Sequence, residues 1–327
     1  MPDRWEALAD KALAGEELTR GEALSVLACD DDQLLMLLQA AFRVRRAHFG
    51  RKVKLNMLVN AKSGICPEDC GYCSQSIVST ADVPKYQLLS RDVLLEGARE
   101  AWARKAGTYC IVASGRRPSR RELAEVTAAV RTIKEELPLK ICACLGLLSD
   151  EDAQELRRAG VDRYNHNLNT SRDHHRAITT THTYDDRVAT VEAVKRAGIS
   201  PCSGFIAGMR ETDEQLVDVA FALRELDADS IPVNFLNAIP GTPLEGTHEL
   251  DPRRCLKVLA LLRFVCPAKE IRVAGGREVN LGSLQPLALY PANAIFIGDY
   301  LTTPGQAAEA DYRMIEDLGF EIEACAL

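Results

Sequence analysis

The chain has 327 residues, of which 46% are hydrophobic, and a formal net charge of −7. No apolar run reaches the roughly 18 residues of a membrane span. The acidic balance gives no electrostatic reason to expect nucleic acid, since phosphate backbones attract basic surfaces, so the expected partner is a small molecule. The first stretch, MPDRWEALADKALAGEEL, is amphipathic and acidic without the basic start and apolar core of a secretory signal, which predicts a cytoplasmic protein. In that compartment the eleven cysteines point to metal binding or catalysis rather than to a disulfide framework. Several of them are equally suited to a plain core position, where free cysteine packs like a small hydrophobe.

Residues 3 to about 48 read as helices, with Leu34, Leu35, Leu37, Leu38 and Ala41 as an apolar stripe behind Asp30, Asp31 and Asp32, which suit a helix start. Residues 1–50 are therefore expected to form an amino-terminal helical cap. From residue 53 short β-prone runs alternate with amphipathic stretches. The runs are VKLNMLVN from Val53, TYCIVAS from Thr108, LKICACL from Leu139, VDRYNHNL from Val161, ISPCSGFIAG from Ile199, SIPVNFL from Ser230, EIRVAGG from Glu270 and NAIFIG from Asn293. Helical patterns such as RELAEVTAAVRTIKEEL from Arg121 and ETDEQLVDVAFALREL from Glu211 lie between them. Eight alternations predict an α/β protein, a parallel (β/α)8 TIM-type barrel over residues 51–320, with a doubly wound open sheet as the alternative. Residues 321–327, with Glu321 and Glu323, read as a solvated tail.

Just after the first strand stands Cys66-Pro-Glu-Asp-Cys70-Gly-Tyr-Cys73. Three thiolates at this spacing can reach three irons of a 4Fe-4S cube and leave the fourth iron without a cysteine. The amino and carboxylate groups of S-adenosylmethionine (SAM) suit that open iron. One electron passed to the sulfonium then releases a 5'-deoxyadenosyl radical, which attacks C–H bonds that no protein acid or base can. A zinc site would need a fourth ligand, and no second CxxC or His pair stands nearby. CxxxCxxC with an aromatic residue before the last cysteine is similar to the radical SAM superfamily signature, which places Tyr72 beside the adenine. His174, His175 and His182 lack ligand spacing and read as a polar surface segment. Gly204, Gly208 and Glu211 read as a cofactor-adjacent strand-to-helix turn.

From about Lys54 to Phe320 the chain resembles the biotin synthase family. The stretch Tyr164-Asn165-His166-Asn167-Leu168-Asn169-Thr170-Ser171 is similar to the family's YNHNLDTS, and TYCIVASG, KICACLG, PCSGFIAGMRET, IPVNFL, AGGRE and IFIGDYLTTPG also match. The resemblance implies a sulfurtransferase that turns dethiobiotin into biotin. It implies a second, 2Fe-2S cluster held by Cys110, Cys142, Cys202 and Arg277 that supplies the sulfur. It implies SAM contacts from Asn167, Asn169 and Arg187, with an asparagine at 169 where the family commonly has aspartate. Asn165 and Asn234 are implied to read the ureido ring of dethiobiotin, and Cys144 to be a spare thiol. A reducing protein such as flavodoxin or ferredoxin and a homodimer complete the implied partners. The alternatives are another radical SAM sulfur-insertion or cofactor-maturation enzyme, such as lipoyl synthase, and a non-catalytic iron-sulfur carrier. Lipoyl synthase would need a second clustered cysteine motif, whereas the amino end holds only Cys29.

Overall fold

The structure is a computed structural model that describes residues 4–324. Three helices come first: α1 (Arg4–Leu13), α2 (Arg20–Leu27) and α3 (Leu34–Phe49). Along α3, Leu34, Leu37, Leu38, Ala41 and Val44 are buried, the i, i+3, i+4, i+7 face of one helix. Leu35, read from the sequence as part of that stripe, lies about 100° away from Leu34 around the axis and is 68% exposed. The buried Arg45 guanidinium pins α3 to neighbouring backbone by donating to the carbonyls of Gly50, Lys52 (2.7 Å) and Ala292 (3.2 Å).

The rest of the chain alternates β1 (Lys52–Lys62), α4 (Arg91–Ala103), β2 (Thr108–Ala113), α5 (Arg120–Glu136), β3 (Lys140–Cys144), α6 (Asp150–Ala159) and β4 (Arg163–Asn165). After α7 (Arg172–Ile178) and α8 (Tyr184–Arg196) come β5 (Ser200–Cys202), β6 (Phe205–Ala207), α9 (Asp213–Glu225), β7 (Ser230–Phe235), α10 (Pro252–Val265) and β8 (Glu270–Val273). The series ends with α11 (Arg277–Leu281), β9 (Ala294–Phe296), α12 (Ala308–Asp317) and β10 (Glu321–Ile322). All pairings of these strands are parallel, and β9 returns to β1, so the sheet closes into the eight-stranded barrel that the alternation predicts. The fifth predicted run is split: β5 and β6 both pair with β7 across a break at Ser203 and Gly204. A Cβ on Gly204 would stand 1.9 Å from the Pro232 carbonyl oxygen, so only glycine lets the two backbones approach.

Helix starts are specified locally. Thr19/Glu22, Ser119/Glu122, Ser149/Asp152, Thr183/Asp186 and Thr212/Gln215 form reciprocal capping boxes on α2, α5, α6, α8 and α9, devices of about 1 kcal/mol each. The tail expected from residue 321 begins instead as β10, with Glu321 and Ile322 opposite Lys52 and Val53; residues 325–327 of that tail lie outside the described residues. Among the described residues no helix is long and apolar enough to cross a membrane.

Candidate active site

A cavity of about 390 Å³ opens at the carboxyl ends of the strands, where loops of a parallel barrel carry chemistry. Two sets of thiols meet at it. Cys66, Cys70 and Cys73 line it from the loop that leaves β1, while Cys110 and Cys142 line it from β2 and β3 with the fully buried Cys202 of β5 packed against them.

The loop is tied to itself and to the segment after α7. The Ile77 amide donates to the Glu68 carbonyl (2.9 Å), the Cys73 amide to the Cys70 carbonyl (3.1 Å), and the Gly71 amide to the Ile178 carbonyl (2.9 Å). Asp69 accepts from the Thr179 hydroxyl (2.7 Å) and the Thr180 amide (2.9 Å); burial alone would raise its carboxyl, but these hydrogen bonds outweigh it and hold the group below the usual range. Glu68, inside the cysteine motif, accepts from Thr181 Oγ1 (2.6 Å), Arg116 Nη1 (3.3 Å) and His182 Nδ1. Burial pushes the three thiols up, Cys73 to about 12, so they become thiolates only with a cationic partner in place.

Contrary to the surface segment expected from the sequence, His175 and His182 are buried, and His182 lines the cavity. Burial and the nearby Arg187 charge lower both, His175 to about 4. His174 lies in α7, half-buried, against the Met209 carbonyl oxygen (2.8 Å).

The Tyr164 to Ser171 stretch runs from β4 across the cavity. Asn169 has φ +69°, a left-handed turn that asparagine tolerates better than most side chains. Its amide oxygen faces the donors, accepting from Arg187 Nη2 (3.0 Å), Arg187 Nη1 (3.2 Å) and the Tyr72 hydroxyl (2.5 Å). Arg187 Nη1 also donates to the Asn167 carbonyl (2.8 Å). Asn165 Nδ2 reaches Asn167 Oδ1 (2.9 Å) and Cys202 Sγ (3.3 Å), and Asn167 Oδ1 takes the Gly204 amide (3.0 Å). Asn234 bridges backbones, donating to Phe205 O (3.2 Å) and accepting from Gly275 N (3.0 Å). Tyr72, Asn165, Asn167, Asn169, Arg187 and Asn234 thus meet in one cavity. In the expected turn, Glu211 accepts the Gly208 and Met209 amides (2.7 and 2.6 Å) and holds its backbone.

Register gathers the second thiol set. Cys110 is opposite Cys142 on neighbouring strands, and Asn165 is opposite Cys202. The three cysteines pack as one buried group with Leu58, Val112 and Phe296. Cys144, two residues beyond Cys142, points into the same cavity, and burial together with Cys202 pushes its thiol to about 12.

Arg277 does not join them. Its guanidinium is spent on Asp311 (2.7 and 3.2 Å) and Glu278 (3.0 Å), and it is not among the cavity walls. The arginine beside the cysteines is Arg272 on β8, a cavity residue 1% exposed, whose charge acts on Cys202, Cys110 and Cys142 together. The sequence carried a signal for it: Glu270 and Arg272 alternate onto one face of a β-prone run of a parallel barrel, and charges buried in such a strand must pair. Glu68 was also missed, although it sits within the cysteine motif.

Among the described residues no three His, Cys, Asp or Glu side chains converge as ligands of a single ion would. An iron-sulfur cluster asks for something else, thiolates spread over the several irons of a cluster rather than gathered around one ion. Both sets have that donor chemistry, and the cavity walls carry buried nitrogens without a hydrogen-bond partner on His166 Nε2, His182 Nε2, Arg187 Nε and Arg272 Nε. The residues fit polar, anionic guests.

Residues 61–223 match the Radical SAM superfamily and residues 232–321 match the Biotin and Thiamin Synthesis associated domain. In fold the chain is similar to methylornithine synthase (TM-score 0.85, 21% identity, covering 97% of this chain and 98% of that one). It is also similar to the FeFe-hydrogenase maturase HydG of Carboxydothermus hydrogenoformans (TM-score 0.81, 17% identity, 98% and 80% covered). A closed parallel barrel with a three-cysteine loop after its first strand defines a radical SAM protein. Among curated relatives, "Biotin synthase" of Geobacillus thermodenitrificans is 65% identical over 99% of this chain and 97% of its own length. The protein of that name from Bacillus pumilus is 63% identical over 99% and 98%. The chain belongs to the biotin synthase family.

Proposed function

We propose that the chain converts dethiobiotin to biotin with two iron-sulfur clusters and SAM. The observation that carries the reading is the convergence of two separate thiol sets, one on a loop and one on three strands, on one cavity between which Asn165, Asn167, Asn169 and Arg187 lie. When bound, the loop-side 4Fe-4S cluster and SAM would supply a 5'-deoxyadenosyl radical, and the strand-side 2Fe-2S cluster would supply sulfide to the activated carbons.

The chain's own residues hold and order these groups. Cys66, Cys70 and Cys73 ligate the first cluster; Cys110, Cys142 and Cys202 ligate the second, with Arg272 rather than Arg277 as the arginine at that site. Arg187 presents a guanidinium suited to the SAM carboxylate, held in direction by Asn167 and Asn169. Tyr72 and Asn169 serve the nucleoside. Asn165 and Asn234 carry amides that complement the ureido carbonyl and N–H groups. A cytoplasmic location, a reductant such as flavodoxin or ferredoxin, and a homodimer belong to the same reading.

The test is an anaerobic assay of reconstituted protein with dethiobiotin, SAM and a reductant. Biotin detected by mass supports the reading. Formation of 5'-deoxyadenosine without biotin would move the chain to another radical SAM chemistry, and absence of both would make it a carrier.

A further inference from the structure

Beneath the strand-side thiols lies a set of charges of which the proposed chemistry uses only Arg272. Glu270 is 3% exposed at the start of β8 and is contacted from four strands. Its Oε1 accepts from Arg272 Nη2 (2.6 Å), the Ser230 hydroxyl (2.8 Å) and Arg163 Nη1 (2.9 Å), and its Oε2 from Arg163 Nη1 (2.9 Å) and Lys54 Nζ (3.2 Å). The register places these groups in the layers of the cysteines: Arg163 is opposite Cys142, Ser230 is opposite Cys202, and Glu270 is opposite Ser230.

Arg272 depends on this arrangement. Its Nη2 is held by Glu270 and by Ser230 Oγ (3.0 Å), its guanidinium lies over the Phe296 ring at 5.0 Å, and its Nε is buried without a hydrogen-bond partner. Glu270 is thus the one anion that fixes the direction of a cation facing three cysteines. Two carboxylates, Glu270 and the more exposed Glu323 at 3.7 Å from Lys54 Nζ, do not balance two guanidiniums and an ammonium, so the floor under the thiols keeps surplus positive charge, in a site where burial strengthens every charge interaction. A buried arginine with its carboxylate removed would be an uncompensated charge.

We propose that Glu270 is the positioning residue for Arg272, and that with Arg163 and Lys54 it sets the net positive charge beneath the metal cluster bound by Cys110, Cys142 and Cys202. The inference rests on the proposed reading of those cysteines as cluster ligands. A cluster gains negative charge on reduction, so extra positive charge beneath it raises its reduction potential and less positive charge lowers it.

The experiment measures iron and sulfide per chain, and the potential of the strand-side cluster by spectroelectrochemistry, on anaerobically reconstituted holoprotein. Glu270→Gln keeps the side-chain size and removes the negative charge, so its potential should rise above wild type. Arg163→Gln removes a positive charge, so its potential should fall. Lys54→Met should fall by less, because the Lys54 side chain is 23% solvent-accessible and more screened. Shifts in one common direction, or no shift in variants that carry a full cluster, overturn the proposal; a purely structural role predicts changed loading or melting without opposed potentials. Should Glu270→Gln fail to load, Lys54→Met decides alone, because it leaves the Glu270–Arg272 pair intact: an unchanged potential overturns the inference. If wild type loads no second cluster, the reading of the three thiols falls and this inference with it. If wild type loads the cluster and the variants do not diverge, only this inference falls.

Discussion

Cys66, Cys70 and Cys73 lie within one short loop, whereas Cys110, Cys142 and Cys202 come from β2, β3 and β5 and meet only because the strands are in register. The surroundings differ as well. Behind the loop set are Glu68, Asp69, threonines and the His175–His182 pair, with ring centroids 5.5 Å apart. Behind the strand set are Glu270, Arg272, Arg163 and Ser230, all buried. A local motif can be held by a loop whose side chains bond its own backbone neighbours. A dispersed site needs a rigid barrel, with permanently charged groups to compensate its burial.

The largest expected effect separates the two sets outright. Cys66→Ala, Cys70→Ala or Cys73→Ala should each reduce 5'-deoxyadenosine formation to background, since each removes one of three proposed protein ligands. Chromatography of a reduced, reconstituted reaction checks it, and turnover surviving in all three variants would break the radical SAM assignment of the loop.

On the strand side, Cys142→Ala should lose biotin formation while SAM cleavage persists, and Cys144→Ala should keep both clusters and most of the activity. The two thiols share a face of β3, but only Cys142 is grouped with Cys110 and Cys202. Iron counts and Mössbauer spectra of the two variants distinguish them. Loss of the cluster from both would make Cys144 a fourth thiolate.

The difference between the regions is also a difference in legibility. The barrel was readable because its period is local: each β-prone run and each capping box declares itself within a few residues. The loop cysteines were readable for the same reason. The break between β5 and β6 was not, because it depends on Gly204 meeting Pro232 on β7, a strand that lies beyond the intervening helix α9. The arginine beside the strand cysteines was misplaced by five positions, because AGGRE gives no indication that Arg277 turns out of the barrel to Asp311 on α12. His175 and His182 resembled surface residues because their burial comes from the loop folding over them.

The two arginines sharpen the comparison with a smaller effect. Arg277→Met should leave the spectrum of the strand-side cluster unchanged but lower stability by about 3 to 5 kcal/mol, because Asp311, 0% exposed, loses its buried partner. Arg272→Met should alter the spectrum. Thermal melts with absorption spectra of both variants check this, and a changed spectrum in Arg277→Met alone would return that residue to the site.

The smallest effect is set by acid and should fall on the loop side first. His175 is held to about 4 by burial, by the Arg187 charge and by His182, against an ordinary value of 6.5; His182 is lowered by burial and Arg187 although Glu68 opposes the shift. As pH falls through 6.5 the unfolded chain binds protons that the folded histidines refuse, so stability is lost between about pH 6.5 and 4 and is complete above that window. Glu68, Asp69 and Glu270 are lowered below ordinary carboxylate values, so their stabilising contributions are lost at more acid pH. Between pH 7 and 5 the wild type should therefore lose more stability than His175→Gln, by roughly 1 to 2 kcal/mol, read from urea midpoints. Hydrogen exchange should show amides of residues 67–73 and 172–183 losing protection at pH 5 before those of β2 and β3, whose neighbouring arginines do not titrate there. If the strand amides open first, the loop is not the acid-sensitive half of the site and the contrast between the two regions does not extend to their stability.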